Sequence, residues 1–163
     1  MSRQKKRLLI DGLLAQIEEE IARMTKAHAD ARQAATHEEA KPENDKDTRA
    51  LEASYLAAGQ AERVRELETA VKVLSGLDLV ELGETTPICA SAVVTLRDDD
   101  DDEATYFMCP HGGGTRLSLE GASVQVVTPQ SPLGKALLGR TEGDVIELRA
   151  KAGLREMTIV KVW

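Results

Sequence analysis

Residues 131–148 read SPLGKALLGRTEGDVIEL. Ser131 is a favoured helix N-cap, Pro132 suits the first helical position, and Gly139 closes a short helix over 131–139. A turn follows, and Asp144–Arg149 then alternates as a strand does. The segment holds no nucleophile beside a base, no phosphate loop and no dinucleotide fingerprint. It is therefore either structural or a docking surface. Working outward, strand-like runs lie upstream at 91–96, 105–109, 115–119 and 123–127. Another lies downstream at 157–163, beyond a turn at Gly153. Arg97–Glu103 is a charged loop and Pro110–Gly114 a glycine-rich turn. Short strands wrapped around one short helix predict an α+β unit over residues 87–163.

Upstream of that unit the period changes. Ile10, Leu14, Ile17, Ile21, Met24, His28, Ala31 and Ala35 alternate spacings of four and three. So do Ala50, Ala53, Ala57, Gln60, Val64, Leu67, Val71 and Leu74. This is the heptad spacing of two helices packed along a seam. Between the runs, Thr36–Asp47 holds five acids and Pro42, which breaks a helix. Asp47 or Thr48 is the expected N-cap of the second helix. The pattern predicts an antiparallel coiled-coil hairpin over residues 1–76 with its tip at 36–47. Gly76 ends the second helix, and 77–86 is a linker. The seam is Leu, Ile and Val far from the turn and alanine near it, so the hairpin should taper. Its arms should be about 40 Å long at ~1.5 Å per residue. Such a hairpin is either a finger that reaches into something or a coiled coil that pairs with a second chain. Periodicity leaves both open.

The charge balance narrows the function. Among 163 residues, 21 Lys and Arg face 28 Asp and Glu, a net charge of −7. Neutralising phosphates takes a cationic excess, so no independent DNA binding is expected. Aromatic content is 2%, confined to Tyr55, Tyr106, Phe107 and Trp163, which argues against a base-stacking platform. No apolar run approaches the ~18 residues of a membrane span. The apolar residues behind Lys5-Lys6-Arg7 stop at Asp11, unlike a signal peptide. Two cysteines, Cys89 and Cys109, make no disulfide framework, and a cytoplasmic location is expected.

Few residues could carry chemistry. The turn region holds Glu38, Glu39, Glu43, Asp45 and Asp47. Carboxylates are the hard ligands that Mg²⁺ accepts, so an acidic tip could lend them to a metal in another molecule's site. The alternative is a solvated loop. Asp98–Asp102 reads as a solvated hairpin loop that keeps a sheet edge from pairing. Cys109, His111 and Cys89 fall one ligand short of zinc's usual four. His28 reads as a packed seam residue and His37 as a polar turn residue.

Ser131-Pro132-Leu133, Ala136-Leu137-Leu138-Gly139 and Glu142-Gly143-Asp144-Val145, with a closing strand over Glu156–Val162, resemble the C-terminal signature of the bacterial Gre transcript-cleavage factors. The acidic-tipped hairpin resembles that family's N-terminal half. The resemblance implies an FKBP-like C-terminal domain that docks on bacterial RNA polymerase beside its secondary channel, with Ser131, Pro132 and Leu133 as the docking loop. It implies a monomer whose hairpin enters the channel and approaches the nascent RNA 3′ end. Tip acids would there help hold the second Mg²⁺ of the polymerase site, so that backtracked RNA is cleaved. The active site would be the polymerase's. The chain is then an accessory factor rather than an enzyme, with no cofactor of its own. Glu43-Asn44 matches the family's Glu-Asn pair, whereas Ala40 stands where the family carries an acid. The expected tip acids are Glu43, then Asp45, Asp47 and Glu39, with Glu43 and Asp45 at the metal. The altered tip also admits a regulator that occupies the channel without cleaving. Two rival classes fit less well. A prolyl isomerase needs aromatic pocket walls, and a client-binding coiled-coil adaptor needs a seam that stays hydrophobic to its tip.

Overall fold

The computed structural model describes the backbone of residues 1–38, 46–150 and 153–163. Side chains are described for residues 1–31, 33, 55–149 and 153–163. Helices α1 (Arg3–Glu38) and α2 (Lys46–Ser75) are followed by strands β1 (Val93–Asp98), β2 (Glu103–Met108), β3 (Arg116–Leu119) and β4 (Ala122–Val127). Helix α3 (Pro132–Leu137) and strands β5 (Val145–Ala150) and β6 (Gly153–Val162) complete the chain. This is the expected order of a helical pair and then an α+β domain. The chain forms two compact units. One is Ala15–Lys72; the other joins Met1–Leu14 to Val73–Trp163.

The first unit is the antiparallel helix pair. Ile17, Leu67 and Ala70 are buried in it. Ile21, Met24 and His28 of α1 and Ala57, Gln60 and Val64 of α2 are only half-buried. The seam thus loses burial beyond Ile17 and Leu67 while its side chains are still large, and the side chains of Ala35, Ala50 and Ala53, expected to taper it, lie outside the described residues. Glu20 and Arg63 pair across the helices at 3.3 Å, and Arg63 also pairs with Glu66 at 3.2 Å. Both arms run further than the acidic turn suggests. α1 continues through Glu38 and α2 begins at Lys46, so Thr36–Glu38, Asp47 and Thr48 are helical. Asp47 and Thr48 fall in the first turn of α2 instead of capping it.

The second unit is built on a six-stranded mixed sheet in the order β3-β4-β2-β1-β6-β5. β2 and β4 are parallel, and the other neighbours are antiparallel. A register shift between Thr95 and Leu96 bends β1 against β6. One sheet face carries Val94, Leu96, Met108, Val127, Ile146, Ile159 and Val162, packed with Leu137 of α3 and with Leu82 and Ile88 of the preceding segment. Val93, Phe107, Val124 and Val126 are also buried, on the other face. Thr95 and Thr105 satisfy each other there through a hydroxyl pair 3.0 Å apart.

The start of α1 belongs to this sheet unit. Leu9, Ile10 and Leu13 are buried, and the Leu13 side chain lies against the backbone of Gly112. The expected seam residue Leu14 is only half-buried. At this end the helix meets the sheet unit, so the buried stripe turns away from the heptad. Lys6 is fully buried. Its Nζ donates to the carbonyl oxygens of Val80 (2.6 Å) and Trp163 (2.7 Å).

Burial removes water from the Lys6 ammonium and brings its pKa from 10.5 down to about 8, against the smaller opposing pull of Cys89 and Glu81. The sign of the linked stability follows. Below pH 8 both states are protonated and the folded state bears the whole cost of the buried charge, ~3 kcal/mol. Between pH 8 and 10.5 the folded state gives up its proton first, so the Lys6 contribution makes stability rise with pH. Cys109 works oppositely above pH 9, because burial pushes its thiol from 9 up to about 12. The difference between the parent chain and Lys6→Met isolates the lysine. In urea unfolding at a series of pH values, that difference should shift in favour of the parent as pH rises from 8 to 10.5; a flat difference would mean that burial does not lower the Lys6 pKa.

Candidate functional site

The sequence motif around residue 131 forms one wall of a groove in the sheet unit. Ser131 caps α3: its Oγ accepts from Gly134 N at 3.0 Å and donates to Thr128 O at 2.8 Å. Pro132 then occupies the first helical turn and is exposed, while Leu133 is half-buried against the core. Gly134 is required by close approach, since a Cβ there would overlap the Thr128 carbonyl. At the helix end Gly139 adopts a φ of +77° and donates its N–H to Ile88 O at 2.9 Å. Of the three expected docking residues, Ser131 thus has its hydroxyl committed inside the fold. Pro132 and Leu133 present surface.

The rest of the motif is also structural. Asp144 accepts from Thr141 N at 2.9 Å and closes the turn before β5. Glu142 accepts from Val162 N at 3.0 Å, which ties that turn to the end of β6.

The groove has a volume of about 560 Å³. Ser131–Leu133, the β4 segment through Thr128, the Gly113–Gly114 turn and the β5–β6 hairpin line it. Leu133, Leu148 and Met157 give it an apolar floor continuous with the core. Arg155 is the cross-strand partner of Leu148, so both stand on the groove face. Arg149, next along the edge strand, also lines it. Among the described residues that line it there is neither a carboxylate nor an aromatic ring.

The other chemistry-bearing residues stay apart. Cys109 is buried, its thiol held protonated at neutral pH, and acts as packing. Among the described residues no three His, Cys, Asp or Glu side chains gather as a metal site. The Asp98–Asp102 run is a hairpin loop in which Asp98 Oδ1 accepts from the N–H groups of Asp100 and Asp102, each at 3.0 Å. His28 lines a shallow groove beside Met24, Gln60 and Val64. Glu39, Glu43, Asp45 and Ala40 lie outside the described residues, as does the side chain of Asp47. Two features escaped the sequence reading. Arg149 and Arg155 look like ordinary strand-edge charges until β5 and β6 pair. Tyr55 and Leu56 are 70% and 66% exposed on α2, off the seam that periodicity identifies.

No described helix is long and apolar enough to cross a membrane. The family described as transcription elongation factor, GreA/GreB, C-terminal, matches residues 86–163. Transcription elongation factor GreA of Xanthomonas axonopodis pv. citri is 30% identical over 115 residues, covering 68% of this chain and 70% of that protein. GreA of Xylella fastidiosa is 31% identical over 115 residues, with the same shares covered. Among solved structures, Thermus aquaticus Gfh1 aligns over 98% of this chain and 94% of its own, with 24% identity and a TM-score of 0.39.

The cap and the close approach can be separated by mutation. Ser131→Ala should lower stability by ~1 kcal/mol, the usual worth of an N-cap. Gly134→Ala should cost more, ~2 kcal/mol or above, because the α3 turn must move off Thr128. Pro132→Ala should leave the thermal midpoint within a degree or two, roughly, as for an exposed site. Equal midpoints for the parent and Gly134→Ala would contradict the packing described.

Proposed function

The chain belongs to the GreA/GreB family of transcription elongation factors, and we propose that it acts by docking on bacterial RNA polymerase at the secondary channel. The α3 groove, with Pro132 and Leu133 on its rim, is the docking surface. The α1–α2 hairpin enters the channel. The observation that carries this reading is the thinning seam: Ile17, Leu67 and Ala70 are buried, whereas Met24, His28, Gln60 and Val64 are not. A hairpin that gives up its own burial is slender, and slenderness is what a narrow channel requires. The exposed Tyr55 and Leu56 give its flank apolar surface to lay against a wall.

In this reading the chain is a monomeric, cytoplasmic accessory factor, not an enzyme. It reaches the nascent RNA 3′ end through the polymerase and needs no DNA contact of its own. Glu43, Asp45, Asp47 and Glu39 are the tip acids that assist the polymerase active site, with Glu43 and Asp45 at its second Mg²⁺. Their carboxylates supply hard oxygen ligands and hold a water by hydrogen bonding. The second Mg²⁺ of the polymerase site, held with them, would supply the Lewis acidity that makes such a water a nucleophile toward the RNA phosphodiester. Ala40 in place of the family's acid favours a second reading, a factor that fills the channel without promoting cleavage.

Stalled, backtracked elongation complexes with 3′-labelled RNA separate the two. Release of short 3′ fragments, slowed roughly 10- to 100-fold in Glu43→Ala, is the expected result. Protection of the RNA against an authentic cleavage factor, with no fragments released, would support the second reading. Absence of binding to polymerase would overturn both.

A further inference from the structure

Arg149 and Arg155 give the groove a charge that the rest of the chain does not share. The chain carries 28 acids against 21 Lys and Arg, yet the described residues lining the groove include two arginines and no acid. Other arginines with described partners are neutralised locally: Arg63 by Glu20 and Glu66, Arg65 by Glu62, Arg97 by Glu103. Neither Arg149 nor Arg155 makes an ion pair with a described residue. β5 and β6 hold Arg155 opposite Leu148, so cation and apolar floor are presented together. Both guanidiniums are exposed, able to meet a partner without first being taken from an internal one.

We infer that the groove recognises an acidic polypeptide segment of the polymerase: one apolar side chain seats on Leu133, Leu148 and Met157, and flanking carboxylates meet Arg155 and Arg149. The inference rests on the polymerase-docking reading and specifies the chemistry of its partner. Guanidinium binds carboxylate in a planar, two-pronged geometry, so the arginines set orientation as well as charge. The apolar floor supplies the anchor, and the rim charges supply steering and choice of partner.

The test uses the full-length chain carrying a fluorescent label and purified polymerase core, titrated at low and high salt. R149E/R155E should bind at least about tenfold more weakly at low salt and lose most of the salt dependence. Arg155→Gln, a gentler change that removes one of the two charges, should lose roughly threefold. R149K/R155K, which keeps the charge and loses the two-pronged geometry, should bind more tightly than the glutamate pair and more weakly than the parent. Circular dichroism and thermal melting of each variant verify the fold. Parent-like affinity in folded R149E/R155E would overturn the inference and leave polymerase docking standing. Equal losses in the lysine and glutamate pairs would likewise overturn it, by showing that shape rather than charge is read. Failure of the parent chain itself to bind polymerase would remove the docking reading, and this inference with it.

Discussion

The sheet unit depends on one buried ammonium. Lys6 Nζ bridges the carbonyl oxygens of Val80 and Trp163, residues 74 and 157 positions away in the chain. It joins the first turns of α1, the segment after α2 and the last residue of the chain. Two backbone oxygens replace the water that its burial removes. A buried cation left without such partners is costly, so any slip of α1 against the sheet is penalised. The contact therefore selects one register. Its lowered pKa is the mark of what that selection costs.

This anchoring was hidden for a physical reason. Lys5-Lys6-Arg7 reads as a solvated basic start, and two of the three are indeed outside the core: Lys5 pairs at the surface with Glu120 at 2.7 Å. The available signal was periodicity. Residues 6, 10, 13 and 17 follow the same four-three spacing as the seam, and all four are buried. Hydrophobicity alone passes over a lysine on that line. The same blindness explains Leu14. A heptad assumes that a helix packs on another helix, and the assumption fails for the stretch of α1 that packs with the sheet. Along α2, Leu67 in the helical unit and Leu74 in the sheet unit are both buried where the spacing puts them.

The α+β domain was legible in its pieces and not in their arrangement. Short alternating runs and Gly or Pro punctuation mark each strand to within a few residues. The parallel pairing of β2 with β4 left no local trace, because it is a contact between segments separated by β3. The candidate site shows the same division. Ser131, Pro132 and Gly139 announce a capped helix, and the cap, the proline and the left-handed glycine are all present. The groove beside them arises only when β5 and β6 bring Leu148 and Arg155 opposite each other. A motif read along the chain thus identified one wall and missed the other.

The two units divide their physical tasks. Burial in the sheet unit extends through both faces of the sheet and into the root of α1, so its opening requires loss of many contacts at once. Among the described residues of Ala15–Lys72 the buried apolar side chains are Ile17, Leu67 and Ala70, and Arg63 pairs with Glu20 across the helices. Surface ion pairs of that kind contribute ~0.2–1 kcal/mol each, too little to hold a long hairpin by themselves. Within the described part of this unit such pairs therefore supplement the packing of Ile17, Leu67 and Ala70 and do not replace it, because burying an apolar side chain is worth more than an exposed ion pair.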